Sequence, residues 1–197
     1  MKRYLLLPAT LILIINCYSQ AWTKAYDHVD ACVCGLSQVG KNGKHGYVNE
    51  QGKLIIPLIY DDGMTFSEGR AGVMVGNKWG FIDSIGKEFV KPQYSEVFSF
   101  NEGFAVVAKG ESFGFIDTSG REVIPLVYMN ARSFGSNLAP VCNSKMQWGY
   151  IDKSNKIMIP FQFGFADKFS DGMARVMKGG KWMYIDPTGK VVKEGDQ

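Results

Sequence analysis

Histidine is nearly missing from this sequence: His28 and His45 are the only two in 197 residues. Any imidazole chemistry is therefore confined to one N-terminal stretch. Net charge is also slight. Lys plus Arg number 22 and Asp plus Glu 19, a formal charge of +3, and the charges are interspersed along the chain. Nucleic-acid binding requires a clustered positive field, so that class of partner is excluded. Long apolar runs are absent too. The longest, Tyr4 to Ile15, is about 12 residues, against the ~20 that a helix needs to cross a bilayer. No Gly-rich phosphate loop follows a strand and opens a helix.

What that short run does fit is a secretory signal. Lys2 and Arg3 precede it, a more polar stretch follows, and Ser19 and Ala21 are small residues suited to a cut before Trp22. Residues 1–21 thus read as a signal peptide, and the protein as periplasmic, cell-surface or extracellular. A competing cut before Cys17 would make a lipoprotein, the one route by which this chain would meet a membrane; Asn16 fits that pattern badly. Cys32, Cys34 and Cys142 remain in a compartment where disulfides persist. Cys32 and Cys34 are too close to bridge each other, so one of them is expected to pair with Cys142.

The rest of the chain is a repeat. Trp79-Gly80-Phe81-Ile82-Asp83 has relatives beginning at His45, Phe113, Trp148 and Trp182, at steps of 34, 34, 35 and 34 residues. Before each comes a strand pattern, Ala71-x-Val73 and its equivalents Ala105-x-Val107, Ala139-x-Val141 and Ala174-x-Val176. The aromatic segment alternates, with Trp79, Phe81 and Asp83 on one face and Gly80 and Ile82 on the other. Asp83, Asp117, Asp152 and Asp186, with Asn49 in the first copy, stand three residues before Gly86, Gly120, Asn155, Gly189 and Gly52. That spacing starts a turn with a side-chain acceptor and closes it with a left-handed residue, the role in which Asn best replaces Gly. A third strand follows, ended by Pro57, Pro125 and Pro160. A connection then carries Tyr60, Tyr94, Tyr128 or Phe163 and Phe66, Phe100, Phe134 or Phe169, closing at a second left-handed turn at Gly69, Gly103, Asn137 or Gly172.

The pattern W-G-x-I-D-x-x-G-K, then Pro-x-x-Tyr, then Phe-x-x-Gly-x-Ala-x-Val, resembles the WG-containing (KWG-type) repeat of bacterial proteins. It is carried by Lys78 to Asp83, Gln147 to Asp152 and Lys181 to Asp186, and more weakly by Lys44 to Asn49; Met183 and His45 depart from it. The resemblance implies a β-rich, often exported repeat protein without an established enzymatic activity.

The expected fold is all-β: an open array of stacked antiparallel three-stranded repeats of 34–35 residues, with a five-bladed β-propeller as the alternative. Residues 22–40 are expected to form an N-terminal cap, 41–192 the repeat domain with five hairpins, and 193–197 a polar tail. No unit can bury its own face, so stacking must supply the core.

Reactive residues that break the repeat are few. Asp83, Asp117, Asp152 and Asp186 recur for turn geometry, and Glu68, Glu102 and Asp171 recur beside a Gly turn, so no catalytic residue is assigned and the protein is expected not to be an enzyme. His28, Cys32 and Cys34, with His45 as a further donor, are soft and borderline ligands at a spacing that matches no zinc pattern, so neither metal nor cofactor is assigned. The candidate binding residues are an aromatic stripe, Trp79, Phe81, Phe113, Phe115, Trp148, Tyr150, Trp182 and Tyr184, whose competing role is core packing. The expected function is a protein-binding or scaffold module, with a carbohydrate or cell-wall binding module as the alternative.

Overall fold

The computed structural model describes residues 21–195, so residues 1–20 of the signal segment, Cys17 among them, and the last two residues of the tail lie outside it. Twenty strands form five four-stranded antiparallel sheets spanning residues 28–60, 62–94, 96–128, 130–163 and 165–194. The second sheet is representative: a short strand Asp62–Gly63, a hairpin Arg70–Val75 and Lys78–Asp83, and a last strand Glu88–Tyr94.

The units are four-stranded, not three-stranded. Part of what reads as a connection pairs with the first hairpin strand, Asp62 opposite Met74 and Gly63 opposite Val73. Two residues are too few to display the alternation by which a strand is recognised. The supposed cap is corrected for the same reason. His28–Val29 pairs with Gly40 and Val39 in the matching register, so residues 28–40 of the expected cap belong to the first sheet. Among the described residues the 3-10 turn Ala21–Ala25 lies outside the pattern, and its Trp22 indole covers Gly52. In later sheets the equivalent Gly86, Gly120 and Gly189 pack on Ile56, Val90 and Ile159 of the sheet before. Trp22 stands in for that missing neighbour.

Both turns form as their residue types require. The Asp83 carboxylate accepts the N–H groups of Ile85 and Lys87 at 3.1 and 2.8 Å, and Asn49, Asp117, Asp152 and Asp186 do likewise. The second turn uses two left-handed residues, Glu68 at φ 51° and Gly69 at φ 74°, between the paired Ser67 and Arg70. That is the two-residue hairpin turn whose twist matches the strands.

Each hairpin strand faces two cores. Phe81 packs toward the third sheet and Ile82 toward the first, Phe115 toward the fourth and Ile116 toward the second. The cores thus lie between consecutive sheets, four of them for five sheets; among the described residues none joins the fifth sheet to the first.

Candidate functional site

Most of the aromatic stripe is spent in these cores. Phe81, Phe113, Phe115, Trp148 and Tyr150 are buried and Trp79 is half-buried. Each sheet's second aromatic receives one phenylalanine from the next sheet: Tyr47 meets Phe66, Phe81 meets Phe100, Phe115 meets Phe134 and Tyr150 meets Phe169, at centroid separations of 4.9, 5.2, 5.1 and 4.9 Å. Offset or edge-on rings at that distance attract beyond the area they bury. The residue that opens the first hairpin strand completes the socket, as where Arg70 lies 5.5 Å from the Phe100 ring centre and Phe104 5.0 Å from Phe134. Where the aromatic is tyrosine its hydroxyl crosses to the incoming backbone, Tyr47 donating to Met64 O and Tyr150 to Asp167 O at 2.8 Å. Burial pushes both phenols well above their ordinary range, so they remain donors.

The polar residues beside the second turn also serve this seam. Ser67 Oγ donates to the Phe100 carbonyl at 2.7 Å. Glu68 accepts the N–H of Gly103 at 3.0 Å, and Glu102 that of Asn137 at 2.9 Å. Their recurrence is therefore structural, as expected, but the bond is to the next unit.

The expected disulfide does not form. Cys142 is buried between the fourth and fifth sheets, where desolvation raises its thiol pKa, whereas Cys32 and Cys34 are exposed on the first sheet. Register explains the latter: Cys32 holds the place of Phe66 and Cys34 that of Glu68, at the one sheet with no predecessor among the described residues to pack on. His28 hydrogen-bonds to Asp30 at 2.7 Å and His45 to Gln38 at 2.9 Å. Among the described residues no group of three or more His, Cys, Asp or Glu converges on one point.

The pattern ends at the outward face of the fifth sheet, built from Phe165–Ala166, Ala174–Lys178, Lys181–Ile185 and Val191–Glu194. Trp182 and Tyr184, the last members of the stripe, are half-buried. Arg175 lies 3.9 Å from the Trp182 ring centre and Lys193 5.7 Å from that of Tyr184. By register Arg175 replaces Gly72, Val106 and Pro140, and Lys193 replaces Val90, Ile124 and Ile159. Two cavities open here. One of about 370 Å³ is lined by Asp167, Ser170, Asp171, Met173, Arg175 and Tyr184; another of about 670 Å³ lies beside Trp182, Met183 and Glu194. Sequence reasoning named Trp182 and Tyr184 but missed Arg175, Lys193, Ser170 and Met173. The signal was present, since two cations stand where the other copies carry uncharged residues, all small or apolar except Gln38.

The family model of the WG containing repeat matches residues 46–79, 79–111, 113–145 and 148–182, most of the chain. The chain belongs to this family. Each WG repeat starts within one sheet and ends within the next, so every repeat stitches two sheets together. No curated protein matches the chain. Among solved structures it is similar to the computationally designed Ika8 protein, with a TM-score of 0.55 and 10% identity over 85% of this chain and 61% of that one. It is also similar to Hsv2p of Kluyveromyces lactis, with a TM-score of 0.53 and 12% identity over 81% of this chain and 60% of that one. The structural neighbours are propeller and repeat folds. The WG-repeat chain spans about three fifths of the length of these two relatives, and at such identities the likeness concerns the fold alone.

Proposed function

We propose that this WG-repeat chain is an exported, non-enzymatic module of a bacterial envelope or exterior that holds a protein partner on the outward face of its fifth sheet. One observation carries the reading. The interior stripe is consumed by packing apart from the half-buried Trp79, and at the fifth sheet both aromatic positions, Trp182 and Tyr184, stand half-buried beside cavities. Aromatic rings flanked by arginine are the composition of protein-binding hot spots. The repeating acids hold turns and seams, which leaves them no catalytic assignment. Export rests on Lys2, Arg3 and the apolar run to Ile15, and compartments beyond the cytoplasm follow from it.

A glycan is the second reading, because Trp182 resembles a stacking platform. Arg175 already occupies one face of that indole, which favours a protein partner. Crosslinking capture from a native envelope extract tests the choice. The full chain is expected to capture a discrete protein that Tyr184→Ala loses. Capture unaffected by Tyr184→Ala, or quenching of Trp182 fluorescence by cell-wall glycan alone, would overturn the assignment.

A further inference from the structure

We propose that the cavity beside Tyr184 is a docking site for an extended protein segment of the form Phe-x-x-Gly. This rests on the reading that the fifth sheet's outward face holds the partner, and it names what that partner presents.

The interior seams show what covers such a face. In each, the incoming chain places a phenylalanine ring on the second aromatic of the sheet. The carbonyl two residues before that phenylalanine accepts the tyrosine hydroxyl where tyrosine is present. The phenylalanine's own carbonyl accepts from Ser67 Oγ in the seam between the second and third sheets. The N–H three residues after it, on Gly103 or Asn137, donates to Glu68 or Glu102. That last residue has a positive φ, 85° in Gly103 and 62° in Asn137, which is why the segment ends in Gly or Asn.

The fifth sheet keeps the receiving half of this set, and among the described residues no sixth sheet covers it. Tyr184 holds the place of Tyr47 and Tyr150, Met173 that of Leu36 and Leu138, Ser170 that of Ser67, and Asp171 that of Glu68 and Glu102. All four line one cavity of about 370 Å³. Unlike Tyr47 and Tyr150, Tyr184 has no carbonyl on its hydroxyl among the described residues. A ring seated on Tyr184 and Met173, a carbonyl on its hydroxyl, a second carbonyl on Ser170 and an N–H on Asp171 would each repeat a contact made in one of the interior seams.

A second copy of the chain does not supply this segment. At the phenylalanine position its first sheet offers Cys32. Its Gly52, which would have to pack where Gly189 packs on Ile159, is covered by Trp22 and would meet Lys193. The occupant is therefore a segment of another protein that carries the ring.

The chain's own sequence supplies the probe. A synthetic peptide copying Ala166–Ala174, which contains Phe169 and Gly172, is titrated into the full chain and followed by calorimetry and by amide NMR shifts. Saturable binding is expected, with shifts confined to the fifth sheet. Replacing Phe169 by Ala in the peptide, or Tyr184→Ala in the chain, is expected to weaken it about tenfold, the worth of a buried aromatic pair. Tyr184→Phe and Ser170→Ala preserve the fold and should each cost about threefold, one hydrogen bond apiece. Lys44→Ala on the first sheet should change nothing. Absence of saturation, equal binding of the Phe169→Ala peptide, or shifts on other sheets overturns the proposal. Self-association in sedimentation that Tyr184→Ala abolishes overturns it in favour of a second copy. If the peptide fails while Tyr184→Ala still loses an envelope partner, the face stands as the binding surface and the Phe-x-x-Gly assignment falls.

Discussion

A single side chain, the Asp or Asn that opens each turn, shows how composition and geometry agree in this protein. Asp117 accepts from the Ser119 hydroxyl at 2.6 Å and from the N–H groups of Ser119 and Arg121. The Ser119 hydroxyl leads the causes that hold its carboxyl below the ordinary range. A carboxyl depressed in the folded chain stabilises it above the unfolded value, about 3.9, and that stability is lost as pH falls through the folded value. The chain already uses Asn for the same bonds at Asn49 and Asn143. Asp117→Asn is therefore expected to keep the turn and remove one contribution to acid sensitivity. Urea midpoints from pH 6 to about pH 3 should fall less steeply in the variant than in the parent chain, and parallel curves would remove the turn from the acid response. Asp152 and Asp186 are lowered by the same kind of bond, to Ser154 and Thr188, so a residual slope remains.

The hairpins were legible because each declares itself twice, through period-two alternation and through a turn residue at a fixed offset. The short strand was not, because its five versions, from His28–Val29 to Phe165–Ala166, have no residue type common to all and are too short to display an alternation. The sheet-end socket was half legible. Trp182 and Tyr184 belong to the stripe, but Ser170 and Met173 take their meaning from contacts that Ser67 and Leu138 make across a seam. The cysteine pairing failed because counting thiols cannot see that Cys142 lies three sheets from Cys32. The Gly of the signature has an element-level cause as well. Between Trp79 opposite Tyr94 and Phe81 opposite Val90 the register slips, and the last strand arches over Gly80. A Cβ on the equivalent Gly46 or Gly114 would lie 2.5 Å from the carbonyl oxygen of Ile56 or Ile124. In the fifth sheet Met183 pairs directly with Glu194 and no slip occurs at that point, which is why methionine fits there. Gly114→Ala is expected to cost about 3 kcal/mol, since backbone rather than a mobile side chain obstructs it. A shift of the urea midpoint equivalent to under ~0.5 kcal/mol, the size of an ordinary surface change, would mean that the arch yields.

In the molecule as a whole, stability is distributed along one dimension. Each sheet is covered by its neighbours, so the array's free energy approximates a sum of unit and interface contributions. Interior sheets have a core on both faces; Val106, Val107, Phe115 and Ile116 of the third sheet are fully buried. Among the described residues the fifth sheet shares a core with the fourth alone, and every residue of its last strand Val191–Glu194 is exposed. The first sheet is protected at its outer side by Trp22, whereas the fifth carries Arg175 and Lys193 over its rings, cations that shield apolar surface through their stems without sealing it. Native-state hydrogen exchange should therefore show a gradient. Amides of Lys181–Ile185 and Val191–Glu194 are expected to exchange through local opening, at a lower free energy than those of Phe104–Lys109 and Ser112–Asp117, which require global unfolding. One common free energy for all five sheets would show the array to be a single cooperative unit. The gradient also gives the outward face a property that the interior seams lack. A segment seated on Tyr184 would supply the fifth sheet with its second core, so occupancy should raise protection in Lys181–Ile185 first and leave the third sheet's exchange unchanged.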